Sequence, residues 1–374
     1  MNRAGVLAPQ GLVVGAREFI PSRLRRSPRD WGVFMYIIYS PEHRMHAPIS
    51  QLYGRGFAPA VEVPKRAECI LQAMTQRQIG EVVGPRVYGV DVLHTVHDAG
   101  LLYFLSHVYD VWAASGQVHD WGLIPDTFAM RSFLDKPDNL VHQAGYYCFE
   151  TQTPILEGTW LAAQQAAWCA LTGADLLIEG KKSVYALCRP PGHHAGRDLY
   201  GGYCYLNNAA LAAQKLSLHG RVTVLDVDYH HGNGTQAIFY ASCGVQFVSL
   251  HADPNEVYPY YSGYAQERGE GEGEGFTQNF PLPIGTNDAD YLDTLLRALD
   301  VIAGFDPVYL VVSLGVDILK EDPLSRFAVS RNIFGAIGQQ ITSFKCPTLF
   351  VQEGGYHLDV IGDCVADVLE GFGN

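Results

Sequence analysis

The sequence predicts an α/β protein built on a mostly parallel sheet, with helices on both faces and its site at the carboxyl ends of the strands. Three observations carry this prediction. Short continuous apolar runs recur along the chain, as strands buried on both faces require. Ala- and Leu-rich stretches of helical length alternate with them, the pattern of strand–helix–strand crossovers. Polar clusters follow five of the runs directly, where open α/β sheets place their chemistry.

Taken in order, Met35-Tyr36-Ile37-Ile38-Tyr39 opens the folded domain with a strand at 36–39. Further strands are predicted at 184–188, 222–227, 245–250, 307–314 and 347–352. Helices are predicted near 157–172, 207–217, 288–303 and 330–343. The acidic Gly run from Glu267 to Gly275 is the one biased tract, and no internal repeat is visible. The reading is a single domain over 35–374, preceded by a basic and flexible arm over 1–34.

Composition narrows the function. A chain of 374 residues, 48% hydrophobic and 17% charged, has ample material for a large core. No apolar run reaches the length of a membrane span, and no segment reads as a secretory leader. Eight cysteines without a CxxC pair predict reduced thiols in a cytoplasmic protein, not a disulfide frame or a thiolate zinc site. The 1–34 segment carries six Arg against Glu18 and Asp30, so the rest of the chain is more acidic than the net charge of −13. An acidic body disfavours nucleic acid as a partner and favours a small cationic substrate.

The richest segment is Asp226-Val227-Asp228-Tyr229-His230-His231-Gly232, at the end of the run from Val222 to Leu225. Buried carboxylates need a compensating charge, and a metal ion is the usual one. Asp228 and His230 are two apart, so on extended backbone they project to the same side. With Asp317, delivered by Ser313-Leu314-Gly315-Val316, they form a three-donor set that leaves a coordination position open, as catalytic zinc sites do. Two oxygen donors and one nitrogen donor also suit Fe2+, Mn2+ or Co2+, so the ion's identity stays open. The pair His193-His194, after Arg189-Pro190-Pro191-Gly192, supplies candidates for proton transfer. Tyr356, after Gly354-Gly355, supplies a donor for a developing oxyanion.

These segments resemble the zinc-dependent histone deacetylase superfamily, which has the arginase-deacetylase fold, and within it the bacterial acetylpolyamine amidohydrolases. The likeness runs from about Met35 to Gly373. It rests on Arg189 to His194, Gly201-Gly202-Tyr203-Cys204-Tyr205-Leu206-Asn207-Asn208, Leu225 to Gly234, Val312 to Asp317, and Glu353 to Tyr356, in that order. It implies Asp228, His230 and Asp317 as ligands of one Zn2+ per chain. It implies His194 as the general base that later protonates the leaving amine, His193 as its electrostatic partner, and Tyr356 as the group that polarises the amide carbonyl. Asp226 is expected to orient His193, and Asn233 to orient His194. Many relatives carry Asp at the latter position, so Asn233 is expected to leave His194 less basic.

The resemblance also implies a structural K+ at Asp226, Asp228, His230, Ser249 and Leu250, with a second near Phe239, Ser242 and Val245. The substrate tunnel is expected to involve Gly202, Leu324 and two aromatic walls, Tyr203 and Tyr261. Tyr147, in Gly145-Tyr146-Tyr147-Cys148, stands where peptide-acting relatives carry an acidic backbone anchor, and its presence fits a substrate without a peptide backbone. An insertion resembling 115–150 implies homodimer contacts and a narrowed entrance. Asp120, Asp126 and the Glu-rich stretch 267–274 are its candidates for attracting an ammonium tail.

The expected reaction is deacetylation of an N-acetylated polyamine such as acetylputrescine or acetylcadaverine, releasing acetate and free amine. The competing reading is a protein acetyl-lysine deacetylase. An acyl-binding protein with a dead site is disfavoured by the complete residue set, and a di-manganese ureohydrolase by a donor set for one metal.

Overall fold

The structure, a computed structural model, describes residues 35–373 apart from 55 and 131–134; the arm predicted over 1–34 lies outside the described residues. β1 (Tyr36–Ile38) is followed by an antiparallel hairpin of β2 (Ser50–Tyr53) and β3 (Gly56–Pro59), then α1 (Lys65–Arg77) and β4 (Glu81–Val83). Next come α2 (Ala99–Ala114), the single turn α3 (Ala144–Tyr147), α4 (Thr159–Ile178) and β5 (Ser183–Ala186). The middle of the chain forms α5 (Asn208–Ser217), β6 (Val222–Asp226), α6 (Asn233–Phe239), β7 (Val245–Ala252) and β8 (Thr277–Leu282). It closes with α7 (Asp288–Phe305), β9 (Tyr309–Leu314), α8 (Phe334–Ile341), β10 (Thr348–Gln352) and α9 (Ile361–Gly373).

Eight strands make one sheet in the order β4-β1-β5-β10-β9-β6-β7-β8, and every pairing in it is parallel. Successive strand residues face opposite sides, so each strand feeds two cores. Val184, Ala186, Leu349 and Val351 pack with α2, α4 and α5. Tyr185, Leu310, Val312 and Phe350 pack with α1, α7, α8 and α9 on the other face. Each fully buried Val, Leu or Phe side chain among them contributes about 1.5–3 kcal/mol. The four central strands β5, β10, β9 and β6 therefore have little freedom, and their carboxyl ends are held side by side.

All six predicted strands are present, with β7 running on through His251 and Ala252. The two sheet edges fall outside the predicted set. β4 is only three residues long and is not buried, and β8 carries Pro281 beside Gln278 and Asn279. Short edges and edge proline blunt unwanted pairing and also blur the strand signal. The described part of 115–150 is mostly irregular, pinned by a bridge between Leu123 and Ile155 and by α3.

Candidate active site

β6 runs out at Asp226, and the next turn carries Asp228 and His230; β9 runs out at Leu314 and delivers Asp317. Ligating atoms of Asp228, His230 and Asp317 lie within 4.8 Å of one another. Both carboxylates are fully buried and fixed by backbone donors. Asp228 accepts the His230 N–H at 2.9 Å and the Gly354 N–H at 2.7 Å, and Asp317 accepts the Tyr229 N–H at 3.0 Å. His230 Nδ1 lies 3.1 Å from Asp317 Oδ2 and 3.3 Å from Asp228 Oδ1. Gly315 and Gly354 pack their backbone onto this pair, where a Cβ on either would run into the Asp228 carboxylate.

Burial is the largest influence on all three groups. It pushes the Asp317 carboxyl up, the Asp228 charge adds to that, and His230 opposes both. Burial also works to raise Asp228, but His193 and His230 outweigh it and hold that carboxyl below its ordinary range. His230 is moved up to about 9, its burial outweighed by the two carboxylates. Two buried carboxylates converging on one imidazole make a concentration of negative charge that a divalent cation neutralises, and the O, N, O donors fit such an ion.

The loop after β5 supplies His193 and His194, with ring centroids 4.0 Å apart. His193 Nδ1–H donates to Asp226 Oδ2 at 3.0 Å, and His194 Nδ1–H donates to Asn233 Oδ1 at 2.7 Å. The second contact leaves Nε2 as the lone-pair nitrogen of a ring that lines the cavity. Burial opposes the charged form of His193, but Asp228 and Asp226 outweigh it and raise the ring to about 10. His194 is held well below 6.5 by burial and by the charges of His193 and His230. Their environments thus push the two neighbouring imidazoles to opposite charge states. The loop itself is anchored by Glu353, which accepts the N–H groups of Gly192 (2.7 Å) and His193 (3.1 Å), and by Asn207, whose Nδ2 donates to Ala195 O at 2.9 Å.

A cavity of about 430 Å³ opens beside these groups. His194, His230, Gly202, Tyr203, Leu324 and Tyr356 all line it. Gly202 has φ +59°, and a Cβ there would also meet the His194 ring, so two independent constraints demand glycine. The Tyr203 hydroxyl faces Gln152 at 3.1 Å and Gln51 at 3.3 Å, and its ring lies 5.8 Å from that of Tyr356. The Tyr356 phenol is pushed well above 10 by burial, against the pull of Arg66, so it stays a hydrogen-bond donor.

Several expectations about the tunnel are corrected. Tyr261 is 92% exposed and does not line the cavity; the wall is Tyr258, half-buried and edge-on to His194 at 5.0 Å. Tyr258-Pro259-Tyr260-Tyr261 offers three tyrosines in four positions, and spacing alone does not say which turns inward. Tyr147 is a core residue, its ring 5.1 Å from Phe104 and its hydroxyl accepting from Lys136 at 2.8 Å. Asp120 and Asp126 are exposed and outside the cavity. In the 267–274 stretch, Glu267 turns inward to accept from Gln236 Nε2 (2.6 Å) and the Gly263 N–H (2.9 Å).

The carboxylates that line the cavity are Glu150 and Glu256. Glu150 accepts from Gly202 N–H at 3.1 Å, and from Gln152 N–H and the Thr153 hydroxyl. Burial pushes its pKa up while those donors pull it down. It sits two residues past Cys148, in a stretch whose only sequence signal is an isolated acid among aromatics. Arg66, on α1, is a second residue the sequence reading passed over. Its Nε and Nη2 donate to Gly355 O and Glu353 O, both at 2.6 Å, and its guanidinium lies 4.6 Å from the centre of the Tyr356 ring. The i, i+4 spacing of Glu62 and Arg66, which pair at 2.8 Å, was the available signal.

For the expected K+ positions, Asp226 and Ser249 are direct neighbours in the β6–β7 register, and Leu250 follows within β7. Ser249 Oγ contacts His251 Nδ1 at 2.8 Å. Phe239 ends α6, Val245 begins β7, and Ser242 lies in the loop between them. His231 points away from the metal ligands and meets Gln236 at 3.1 Å.

An open three-donor set at the strand ends, flanked by a neutral imidazole and a phenol, fits the class of metal-dependent amide hydrolases. Known proteins agree. The histone deacetylase domain model matches residues 60–372, and the chain belongs to that family. It is 44% identical over 343 residues to acetylpolyamine amidohydrolase 1 of Pseudomonas aeruginosa, covering 90% of this chain and 99% of that one. It is 43% identical over 340 residues to the acetylpolyamine amidohydrolase of Mycoplana ramosa, again covering 90% and 99%. The crystal structure of an acetylpolyamine aminohydrolase from Burkholderia pseudomallei superposes with a TM-score of 0.87 at 38% identity, covering 91% of this chain and 98% of that one. No helix among the described residues is long and apolar enough to cross a membrane.

Proposed function

We propose that the chain deacetylates N-acetylated polyamines of the acetylputrescine and acetylcadaverine kind, releasing acetate and the free amine. The observation that carries the substrate class is the Glu150 carboxylate in the wall of the cavity that ends at His194 and His230. A half-buried carboxylate in the wall of a slot rich in tyrosines favours an alkyl chain ending in ammonium. The high identity to acetylpolyamine amidohydrolases over nearly the whole chain supports the same reading.

Asp228, His230 and Asp317 would hold one Zn2+ per chain, with Fe2+, Mn2+ or Co2+ as substitutes. When bound, the ion supplies a Lewis acid for the amide carbonyl and acidifies the attacking water. Neutral His194 takes a proton from that water at Nε2 and returns it to the departing amine. Charged His193, held by Asp226, is the electrostatic partner of His194, its ring centroid 4.0 Å away. Tyr356, kept protonated, donates a hydrogen bond to the carbonyl oxygen as it becomes anionic.

The reading includes K+ at Asp226, Asp228, His230, Ser249 and Leu250, supported by the adjacency of β6 and β7. It includes a homodimer through the 115–150 segment, supported by exposed Val118, Trp121 and Met130 there. It also includes a cytoplasmic location, supported by eight unpaired cysteines.

The test is turnover of acetylputrescine and acetylcadaverine against an acetyl-lysine peptide, followed as acetate release by the zinc-loaded enzyme. Acetylpolyamine is expected to give the higher kcat/KM by about tenfold or more. A peptide preference of that size would replace this assignment with the protein deacetylase reading.

A further inference from the structure

We infer that Asp322 is a positioning residue for Tyr356, holding the phenol and the cavity wall at Leu324 in one register. Asp322 lies in the loop after β9, and its side chain is buried, 4% exposed. Its Oδ2 accepts the backbone N–H of Tyr356 at 2.6 Å and that of His357 at 3.2 Å. Its Oδ1 accepts the N–H of Leu324 at 3.0 Å. One carboxylate thus ties the loop that follows β9 to the loop that follows β10, and each of those loops contributes one wall of the cavity.

The need for such a tie comes from the sequence around the phenol. Tyr356 is preceded by Gly354 and Gly355, the latter at φ +119°, and a Gly-Gly lead-in gives its backbone wide freedom. Fixing that freedom externally is what converts a mobile phenol into an aimed donor, and a misplacement of about 1 Å can cost on the order of 10²-fold in rate. Arg66 grips the same segment by its carbonyls, at Glu353 and Gly355. Asp322 supplies the complementary grip on the N–H groups. The segment is held between a buried cation on one side and a buried carboxyl on the other.

Hydrogen bonding explains why an acid is suited to this place. Burial, with the Asp317 charge added, pushes the Asp322 pKa up to about 7, and the backbone donors of Leu324, Tyr356 and His357 pull it back. Three N–H groups converging on two oxygens match a carboxylate, which is acceptor-only when ionised. Asparagine would offer one oxygen and set its own N–H2 against the Leu324 N–H or against the Tyr356 and His357 N–H groups.

The inference rests on the proposed role of Tyr356, and a double-mutant cycle separates the two. Wild type, Asp322→Asn, Tyr356→Phe and the double variant are compared for kcat and KM on acetylputrescine, with zinc content and thermal melting measured alongside. Asp322→Asn is expected to lower kcat about tenfold or more, keep KM within about threefold and keep about one zinc per chain. In the Tyr356→Phe background the same substitution is expected to change kcat by less than about twofold, because the group it positions is gone. If Tyr356→Phe itself turns over like wild type, the proposed function fails. If both single variants are impaired and their losses multiply, only the role of Asp322 fails, as it does if Asp322→Asn turns over within about twofold of wild type. Should Asp322→Asn fail to fold, Asp322→Glu keeps both acceptors and goes through the same cycle. There a non-additive loss supports the role, and a multiplied loss or no loss overturns it.

Discussion

His194 Nδ1 lies 2.7 Å from the side-chain oxygen of Asn233, and this contact settles which nitrogen of the ring is free to take a proton. An amide orients the ring without adding charge. With burial and the charge of His193 already holding His194 well below 6.5, the ring is neutral through the physiological range. Asn233→Asp would put a carboxylate against Nδ1–H, favour the imidazolium and raise the His194 pKa. Because the free enzyme needs the neutral ring, the acidic limb of the kcat/KM profile should move to higher pH, by about one to two units. Asn233→Leu should instead leave the limb and lower kcat by roughly 10–100-fold through loss of orientation. An unshifted limb in Asn233→Asp would mean that another group is the base.

Metal content tests the ligand assignment directly. Asp317→Ala leaves Asp228 and His230 as two donors on one turn, too few for a stable site. We expect bound zinc to fall from about one per chain to below about 0.1, with activity lost and the sheet intact by circular dichroism. The chelated wild-type enzyme should likewise stay folded, since both cores are complete without the ion, but melt lower. An ion present at 1,000 times its Kd adds about 4 kcal/mol. Stoichiometric zinc retained in Asp317→Ala contradicts its role as a ligand.

The convergence of Asp228, His230 and Asp317 was legible in the sequence because each donor sits within a few residues of a strand end. Continuous apolar runs such as Val222 to Leu225 mark those ends without help from tertiary structure. The tunnel was less legible for a physical reason: its residues come from irregular segments, where facing depends on local backbone turns and not on a period of 2 or 3.6. Tyr258 and Tyr261 are chemically identical neighbours, yet one packs edge-on against His194 in the cavity wall and the other is almost fully exposed. Tyr147 and Glu150 are three apart, yet the first is core and the second lines the cavity. Asp322 and Arg66 act on Tyr356 across 34 and 290 residues of chain, a relationship that only the folded sheet reveals.

Glu150 is predicted to read the charge of the substrate. Glu150→Gln keeps the size and part of the hydrogen bonding to Gly202 and Gln152 but removes the anion. The KM for acetylputrescine should rise about 10–100-fold, in line with about 1.5–3 kcal/mol for a charged hydrogen bond. N-pentylacetamide, which replaces the ammonium by a methyl group, should be processed equally by both enzymes. If the two substrates suffer alike, Glu150 acts on the shape of the cavity and not on charge, and the polyamine reading loses its main structural support.

Buried neutral histidines should also give the fold an acid-sensitive element away from the metal. His97 Nδ1–H donates to Gly196 O at 2.9 Å, and its Nε2 accepts the Asn207 N–H at 2.9 Å, so the geometry admits only the neutral ring. Burial lowers its pKa to about 4. Between about pH 6.5 and pH 4 the unfolded chain binds a proton that the folded chain refuses, so this residue's contribution is lost as pH falls through that window. The slope is at most about 1.4 kcal/mol per pH unit for one group. Glu353, raised to about 7 mainly by burial, works in the opposite sense, so the prediction concerns a difference between variants. His97→Gln keeps one donor and one acceptor and cannot titrate. Measured by urea unfolding, its stability relative to wild type should improve by about 1.6 kcal/mol between pH 6.5 and pH 5.0. A constant gap across that range would show that His97 is protonated in the folded protein and that its two hydrogen bonds are not as the structure has them.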